Sequence, residues 1–160
     1  MTSEKAEKEG DLTYNTCQLL SYTETLKSIR KQFKENILSK TQWKGNRELG
    51  IVDKLIARAG LNLSFVVAGL IFNILDKREG AEVILLDVKG DKEKLEYYYM
   101  ILNRLKNMIE DVWINLAKHI ANEHPDATTV KLMCLTERAC EDLEVATDIL
   151  SGYVKPEKSP

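Results

Sequence analysis

The sequence is poor in proline, glycine, histidine and cysteine. Its 160 residues include 3 prolines, 8 glycines, 3 cysteines and 2 histidines. So few turn-forming residues exclude a sandwich of many short strands, and the abundant leucine, lysine and glutamate predict a helical protein. The scattered Cys17, Cys134 and Cys140 do not make a disulfide framework and indicate a reducing compartment. We expect all three thiols to be reduced and to pack as small core hydrophobes.

The sequence predicts neither a secretory signal nor a membrane span. Residues 1–10, MTSEKAEKEG, have no apolar stretch of the kind that a secretory signal needs. The longest uncharged run, residues 59–75, is interrupted by Asn62, Ser64 and Asn73 and falls short of the ~20 apolar residues of a membrane span. We therefore expect a cytoplasmic protein with no membrane partner.

Apolar residues recur at spacings of three and four in five segments, which predicts an all-α fold. The segments are residues 12–38, 47–59, 61–76, 91–123 and 128–150. Gly60 stands where a helix C-cap is common, so the second and third segments are predicted to be separate helices. Because 61–76 is apolar on nearly all sides, it is predicted to be the most buried helix.

The segments combine into one predicted domain. Residues 81–88, AEVILLDV, are predicted to form a further helix or a short strand. The expected architecture is an antiparallel bundle of five or six helices, formed by residues 11–154. Polar residues 1–10 and 155–160 are expected to be flexible tails.

The sequence contains no residue constellation typical of an enzyme or a metal site. His119 and His124 are five residues apart on a predicted helix, and Cys134 and Cys140 are six apart, so the side chains of each pair diverge. Neither a nucleophile elbow nor a glycine-rich phosphate loop accompanies the serines and cysteines. We expect no catalytic residue, no metal ligand and no cofactor.

Charge is distributed unevenly along the chain. Residues 26–60 carry nine basic and three acidic residues, a local charge of +6, whereas the whole chain carries −2. The last predicted helix holds five acids: Glu137, Glu141, Asp142, Glu144 and Asp148. A basic flank on a protein that is not basic overall is typical of a surface that contacts phosphates. Flanks of opposite charge also favour head-to-tail association of like copies.

Ten residues of the basic stretch are candidate RNA contacts: Lys27, Arg30, Lys31, Lys34, Lys40, Trp43, Lys44, Arg47, Lys54 and Arg58. The first four have helical spacings and form a stripe on the first helix. The alternative is that this stripe is only the solvated face of an amphipathic helix. Trp43 lies in a polar link, where its indole stacks on a base, anchors a protein contact or covers the core.

Two segments resemble a known family. Residues 52–61, VDKLIARAGL, run into the apolar residues 64–70, SFVVAGL, and residues 135–140, LTERAC, open a closing helix that continues to Leu150. This arrangement is similar to the small all-helical subunit of type III-B CRISPR-Cas effector complexes, the Cmr complexes. The resemblance implies a non-catalytic subunit in antiviral defence that stacks in a filament beside the guide-binding subunits. It also implies that the basic stripe lies along the target RNA.

Two functions are consistent with the sequence. The first is a subunit of an RNA-guided ribonucleoprotein that binds other subunits and contacts the phosphates of single-stranded RNA without reading bases. The second is a helical adaptor or regulator that binds protein only, through pairing of the long amphipathic helix 91–123 with a partner helix. Salt separates the two functions, because phosphate contacts weaken steeply as the salt concentration rises.

Overall fold

Four long helices make up the part of the chain that the structure describes. The computed structural model describes residues 12–73, 90–123 and 126–154. Its long helices are α1 (Leu12–Phe33), α2 (Arg47–Asn73), α3 (Leu95–Glu123) and α4 (Ala127–Ser151). A π-helical turn, Lys34–Leu38, extends α1, and a short 3-10 turn, Thr41–Trp43, precedes α2. These residues contain no strand, so the predicted all-α helical bundle is confirmed for them.

The predicted helix break at Gly60 is wrong, because residues 47–59 and 61–73 belong to one helix. Among the described residues only Gly45 has a positive φ, so Gly60 does not adopt the left-handed conformation of a C-cap glycine. The buried apolar residues also continue through Gly60 at unbroken spacings of three and four: Leu49, Val52, Ile56, Ala59, Leu63, Val66 and Leu70. A helix that buries the same side before and after a glycine has no reason to end there.

Several predictions fall outside the described residues. These are the possible helix or strand at 81–88, the tails at 1–10 and 155–160, and His124. The side chain of His119 is likewise not described. The described part of the chain therefore has four long helices, and the predicted number of five or six is not reached within it.

The core consists of the apolar stripes that the spacing predicts. On α3 all eight stripe positions are buried: Leu95, Tyr98, Leu102, Leu105, Ile109, Val112, Leu116 and Ile120. On α4 the predicted apolar stripe is buried except at Leu135, which is half-buried; its positions are Leu132, Leu135, Ala139, Leu143, Ala146 and Leu150. Cys134 lies off this stripe and is exposed, whereas Cys17 and Cys140 are half-buried, so the prediction that all three cysteines are core residues is wrong for Cys134.

The helices form a square in the order α1, α2, α4, α3. The α2 helix packs most extensively on α4, and α1 packs on both α2 and α3. Neighbouring helices are antiparallel: Tyr98 near the start of α3 contacts Phe33 at the end of α1, and Gly69 near the end of α2 lies against Leu132 near the start of α4. The edge between α1 and α2 is therefore opposite the edge between α3 and α4.

The outer side of α2 is exposed, contrary to the prediction that its second half is the most buried helix. Leu61, Phe65 and Phe72 are 58%, 58% and 70% exposed. In a square bundle each helix has neighbours on two sides only, so its outer side faces solvent. By length and composition alone the segment Arg47–Phe72 is also able to cross a membrane, with 44% of its most apolar window buried in the bundle. Core helices of soluble bundles meet the same criterion, so the feature is weak evidence for a membrane span.

Candidate nucleic-acid interface

The basic stripe of α1 consists of Lys27, Arg30, Lys31 and Lys34. Its four cations have different environments. Lys31 and Lys34 are exposed, and no carboxylate of the described residues lies within ion-pair distance of either. Lys27 Nζ instead lies 3.1 Å from Glu24 Oε1, one turn earlier on the same helix. Such an exposed pair contributes little to stability, so Lys27 remains available to another anion.

Arg30 is held by a buried carboxylate of α2. Its Nε and Nη2 donate to the two carboxylate oxygens of Asp53, at 3.2 and 3.5 Å. Asp53 is only 8% exposed, so it depends on Arg30 for compensation of its charge. The pair ties α1 to α2 and fixes the plane of the guanidinium group.

Arg58 has the same role between α2 and α4. Its Nε and Nη2 donate to the carboxylate oxygens of Asp142, at 2.8 and 2.7 Å. The hydrogen bond and the charge of Asp142 raise the pKa of Arg58. Asp142 is 7% exposed although it belongs to the acidic face predicted from the sequence. Two of the ten candidate RNA contacts therefore also tie helices together.

Trp43 packs on the protein in the link between α1 and α2. It is half-buried, and its ring meets that of Tyr153 edge to face, with centroids 5.6 Å apart. Asn46 holds the same tyrosine, because its Nδ2 donates to Tyr153 Oη at 3.1 Å, while its Oδ1 accepts from Leu49 N at the start of α2. The sequence is consistent with three roles for Trp43: stacking on a base, anchoring a protein contact and covering the core. Its packing on Tyr153 and on the core supports the third.

The remaining candidates lie on either side of the link that joins α1 to α2, from the last turn of α1 to the second turn of α2. We call this surface the basic end, and it comprises Lys31, Lys34, Lys40, Lys44, Arg47 and Lys54. All six are exposed, and none has an ion-pair partner within the described residues. Glu35 and Glu48 are the acids of the same stretch. The link positions these cations because Gly45, at φ +80°, and the 3-10 turn return the chain sharply toward α2.

An acidic groove lies on the opposite edge of the bundle, between α3 and α4. It measures about 420 Å³ and is lined by Glu110, Trp113, Ile114, Glu137, Cys140, Glu141 and Glu144. Burial, followed by the charge of Glu110, raises the pKa of the Cys140 thiol to about 12. The thiol therefore stays protonated at neutral pH. The four glutamates of the lining give the groove the charge of a surface that attracts cations.

Sequence reasoning located the cations but missed Asp53, Asp142 and Tyr153. The sequence does carry a signal for both acids, since Asp53 directly follows the buried Val52 and Asp142 directly precedes the buried Leu143. An acid beside a core position on an amphipathic helix is partly withdrawn from water and needs a cation. That signal does not identify which cation.

Comparison of the chain with protein-family models, curated proteins and solved structures gives no match that would indicate a relative. The assignment of a function therefore depends on the surfaces described above and on the resemblance of the two segments.

Replacing Arg30 by methionine is expected to lower the free energy of unfolding by about 1–3 kcal/mol, because it leaves Asp53 buried without a partner. The matched control Lys27→Met breaks the exposed pair with Glu24 and is expected to cost less than about 1 kcal/mol. Removing both partners, in Arg30→Met/Asp53→Leu, is expected to recover part of the loss. Urea denaturation measures all three variants, and equal stability of the two single variants would refute the anchoring role of Arg30.

Proposed function

We propose that the protein is a non-catalytic subunit of a ribonucleoprotein particle, and that its basic end contacts the phosphates of single-stranded RNA. The supporting observation is that six exposed cations around one helix junction have no carboxylate partner within the described residues. The chain as a whole has a formal charge of −2, so this surface is a local feature and not part of a general excess of cations. Local positive charge on an otherwise neutral or acidic protein directs polyanions to one place.

The kind of cation supports contact with phosphates and not with base edges. Five of the six residues of the basic end are lysines. A lysine ammonium group is a flexible point charge that follows a phosphate backbone without the fixed fork that reads guanine. The arginines Arg30 and Arg58 have two of their donors occupied by aspartate. Binding through the basic end is therefore proposed to be independent of the nucleotide sequence of the RNA.

Copies of the protein are proposed to stack head to tail within the particle. The basic end and the acidic groove belong to opposite edges of the bundle, so cations of the basic edge that the RNA strand does not cover can face the acidic edge of the next copy. Two different surfaces that meet in this way generate a row of copies, which stays open when the rotation between neighbours does not close it into a ring. Such a row is suited to a long single-stranded nucleic acid.

The resemblance to the small subunit of type III-B CRISPR-Cas complexes supports this proposal and adds a role in antiviral defence. The two segments that carry the resemblance lie in α2 and α4, which face each other and are joined by Arg58 and Asp142. The alternative, an adaptor that pairs through α3, is less favoured because the apolar stripe of α3 forms the core of the bundle. A partner helix reaches that stripe only if the bundle opens.

The affinity for RNA is expected to fall steeply with salt. Each phosphate contact to a single strand contributes a slope of about −0.7 in a plot of log K against log salt concentration. Six contacts therefore predict a slope of about −4. Fluorescence anisotropy with labelled oligouridine, between about 50 and 200 mM salt, measures this slope. Absence of binding at low salt, or a slope close to zero, would refute the proposed function.

A further inference from the structure

A second groove lies between α1 and α2, on the same edge of the bundle as the basic end. It measures about 420 Å³. Leu26, Lys27 and Arg30 line it from α1, while Ala57 and Gly60 belong to its α2 side. This volume is within the range of small-molecule sites in proteins, and the lining combines an apolar floor with a few polar groups, as such sites do.

The groove offers a guanidinium plane that is already fixed. Two of the five N–H donors of Arg30 are engaged by the carboxylate of Asp53, which also compensates its charge. An arginine in this state is a weaker phosphate ligand than a free lysine, but its flat face remains able to stack on a planar ring system. Because the group is held in place, stacking costs little side-chain entropy. Single-stranded RNA bases commonly stack on such arginine planes.

The floor of the groove suits a flat apolar guest. A Cβ atom added to Gly60 would meet no heavy atom within 4 Å, so there is open space above this part of α2. Leu61 beside it is 58% exposed and supplies an apolar wall. Ser64 Oγ donates to Gly60 O at 2.9 Å, which leaves the hydroxyl oxygen to accept from an N–H group at the edge of a guest.

From these observations we propose that the groove between α1 and α2 receives one unstacked nucleobase of the RNA strand. The inference rests on the proposed function, since it takes the phosphates of that strand to lie on the basic end. Lys27 lines the groove, and Lys31 and Lys34 continue the same face of α1 at helical spacings of four and three, so a strand that contacts these lysines lies beside the groove. The base enters without regard to its identity, because stacking on an apolar floor tolerates every base.

The test compares oligouridine with its abasic counterpart, the same ribose-phosphate chain without bases. We expect the full-length protein to bind oligouridine about tenfold more tightly than the abasic chain. The variant Gly60→Leu fills the groove and is expected to lose this difference while still binding the abasic chain like the parent. Gly50→Leu is the matched control, because Gly50 is also in α2, has open space at its Cβ position and does not line the groove.

The outcomes separate this inference from the proposed function. Equal affinity of the unaltered protein for both chains would overturn the base site and leave the phosphate contacts in place. Binding of neither chain would overturn the proposed function and the base site together. If Gly60→Leu does not fold, as judged by its circular dichroism and thermal unfolding, equal affinity of the unaltered protein for both chains still overturns the base site. Gly60→Ala then provides the milder variant, with a smaller expected decrease in the preference for oligouridine.

Discussion

Reversing the charge of Lys31, Lys34, Lys40 and Lys44 to glutamate is expected to lower the affinity for single-stranded RNA at least about a hundredfold. The variant removes four of the six cations of the basic end and places carboxylates where phosphates would lie. The salt dependence is expected to change as well, with the slope reduced by about 3. Fluorescence anisotropy with labelled oligouridine measures both quantities.

A variant with the same change in net charge on other helices controls for unspecific electrostatics. Arg104 and Lys118 on α3 and Lys131 and Arg138 on α4 are exposed cations outside the basic end. Reversing these four is expected to change RNA affinity much less than reversal at the basic end. At about 0.1 M salt, charges more than about 10 Å from the nucleic acid are largely screened. Equal losses in the two variants would mean that RNA responds to total charge and that the basic end is only a solvated surface.

Arg30 and Arg58 are left unchanged in this design because each compensates a buried carboxylate. A glutamate at either position would face Asp53 or Asp142 across a partly buried contact. The resulting repulsion would destabilise the helix pairs, and a loss of RNA binding would then not be separable from unfolding. The four lysines have no such partner among the described residues, so thermal unfolding of their variant is expected to stay close to that of the parent.

The fold was predictable from sequence wherever a local pattern decides it. The apolar spacing of α3 reports directly on the side that the helix buries, and all eight of its positions are in the core. The helix end predicted at Gly60 is wrong because glycine is common at helix ends but does not by itself end a helix. Its conformation depends on the packing of α2 against α1 and α4, which a single residue type does not encode. The exposure of Leu61 and Phe65 has the same origin, since composition does not say how many neighbours a helix has.

The location of the candidate site was predictable, but its division into two kinds of cation was not. The excess of lysine and arginine between residues 26 and 60 is a property of the sequence. The pairing of Arg30 with Asp53 and of Arg58 with Asp142 joins residues 23 and 84 positions apart, so it emerges only when helices pack. Trp43 is a similar case, because its partner Tyr153 follows the last helix.

Replacing Tyr98 by alanine is expected to lower the free energy of unfolding by about 3–5 kcal/mol. Tyr98 is fully buried, and its ring meets those of Phe33 and Tyr97 edge to face, with centroids 5.1 and 5.0 Å apart. Its hydroxyl oxygen accepts a hydrogen bond from Asn36 Nδ2 at 3.3 Å. The alanine variant therefore opens a cavity where the start of α3 packs on the end of α1. Urea denaturation measures the loss.

Two further variants control for the loss in Tyr98→Ala, one at its hydroxyl and one at an exposed ring elsewhere. Tyr98→Phe keeps the ring and removes only the bond to Asn36, so a loss of about 1 kcal/mol is expected. Phe65→Ala removes an aromatic ring that is 58% exposed and is expected to change stability by less than about 0.5 kcal/mol. Because Asn36 lies in the π-helical turn that begins at Lys34, loosening this contact also frees part of the basic end. Tyr98→Ala is thus expected to weaken RNA binding under conditions in which the variant is still folded. Unchanged stability of Tyr98→Ala would contradict the packing described for the junction of α1 and α3.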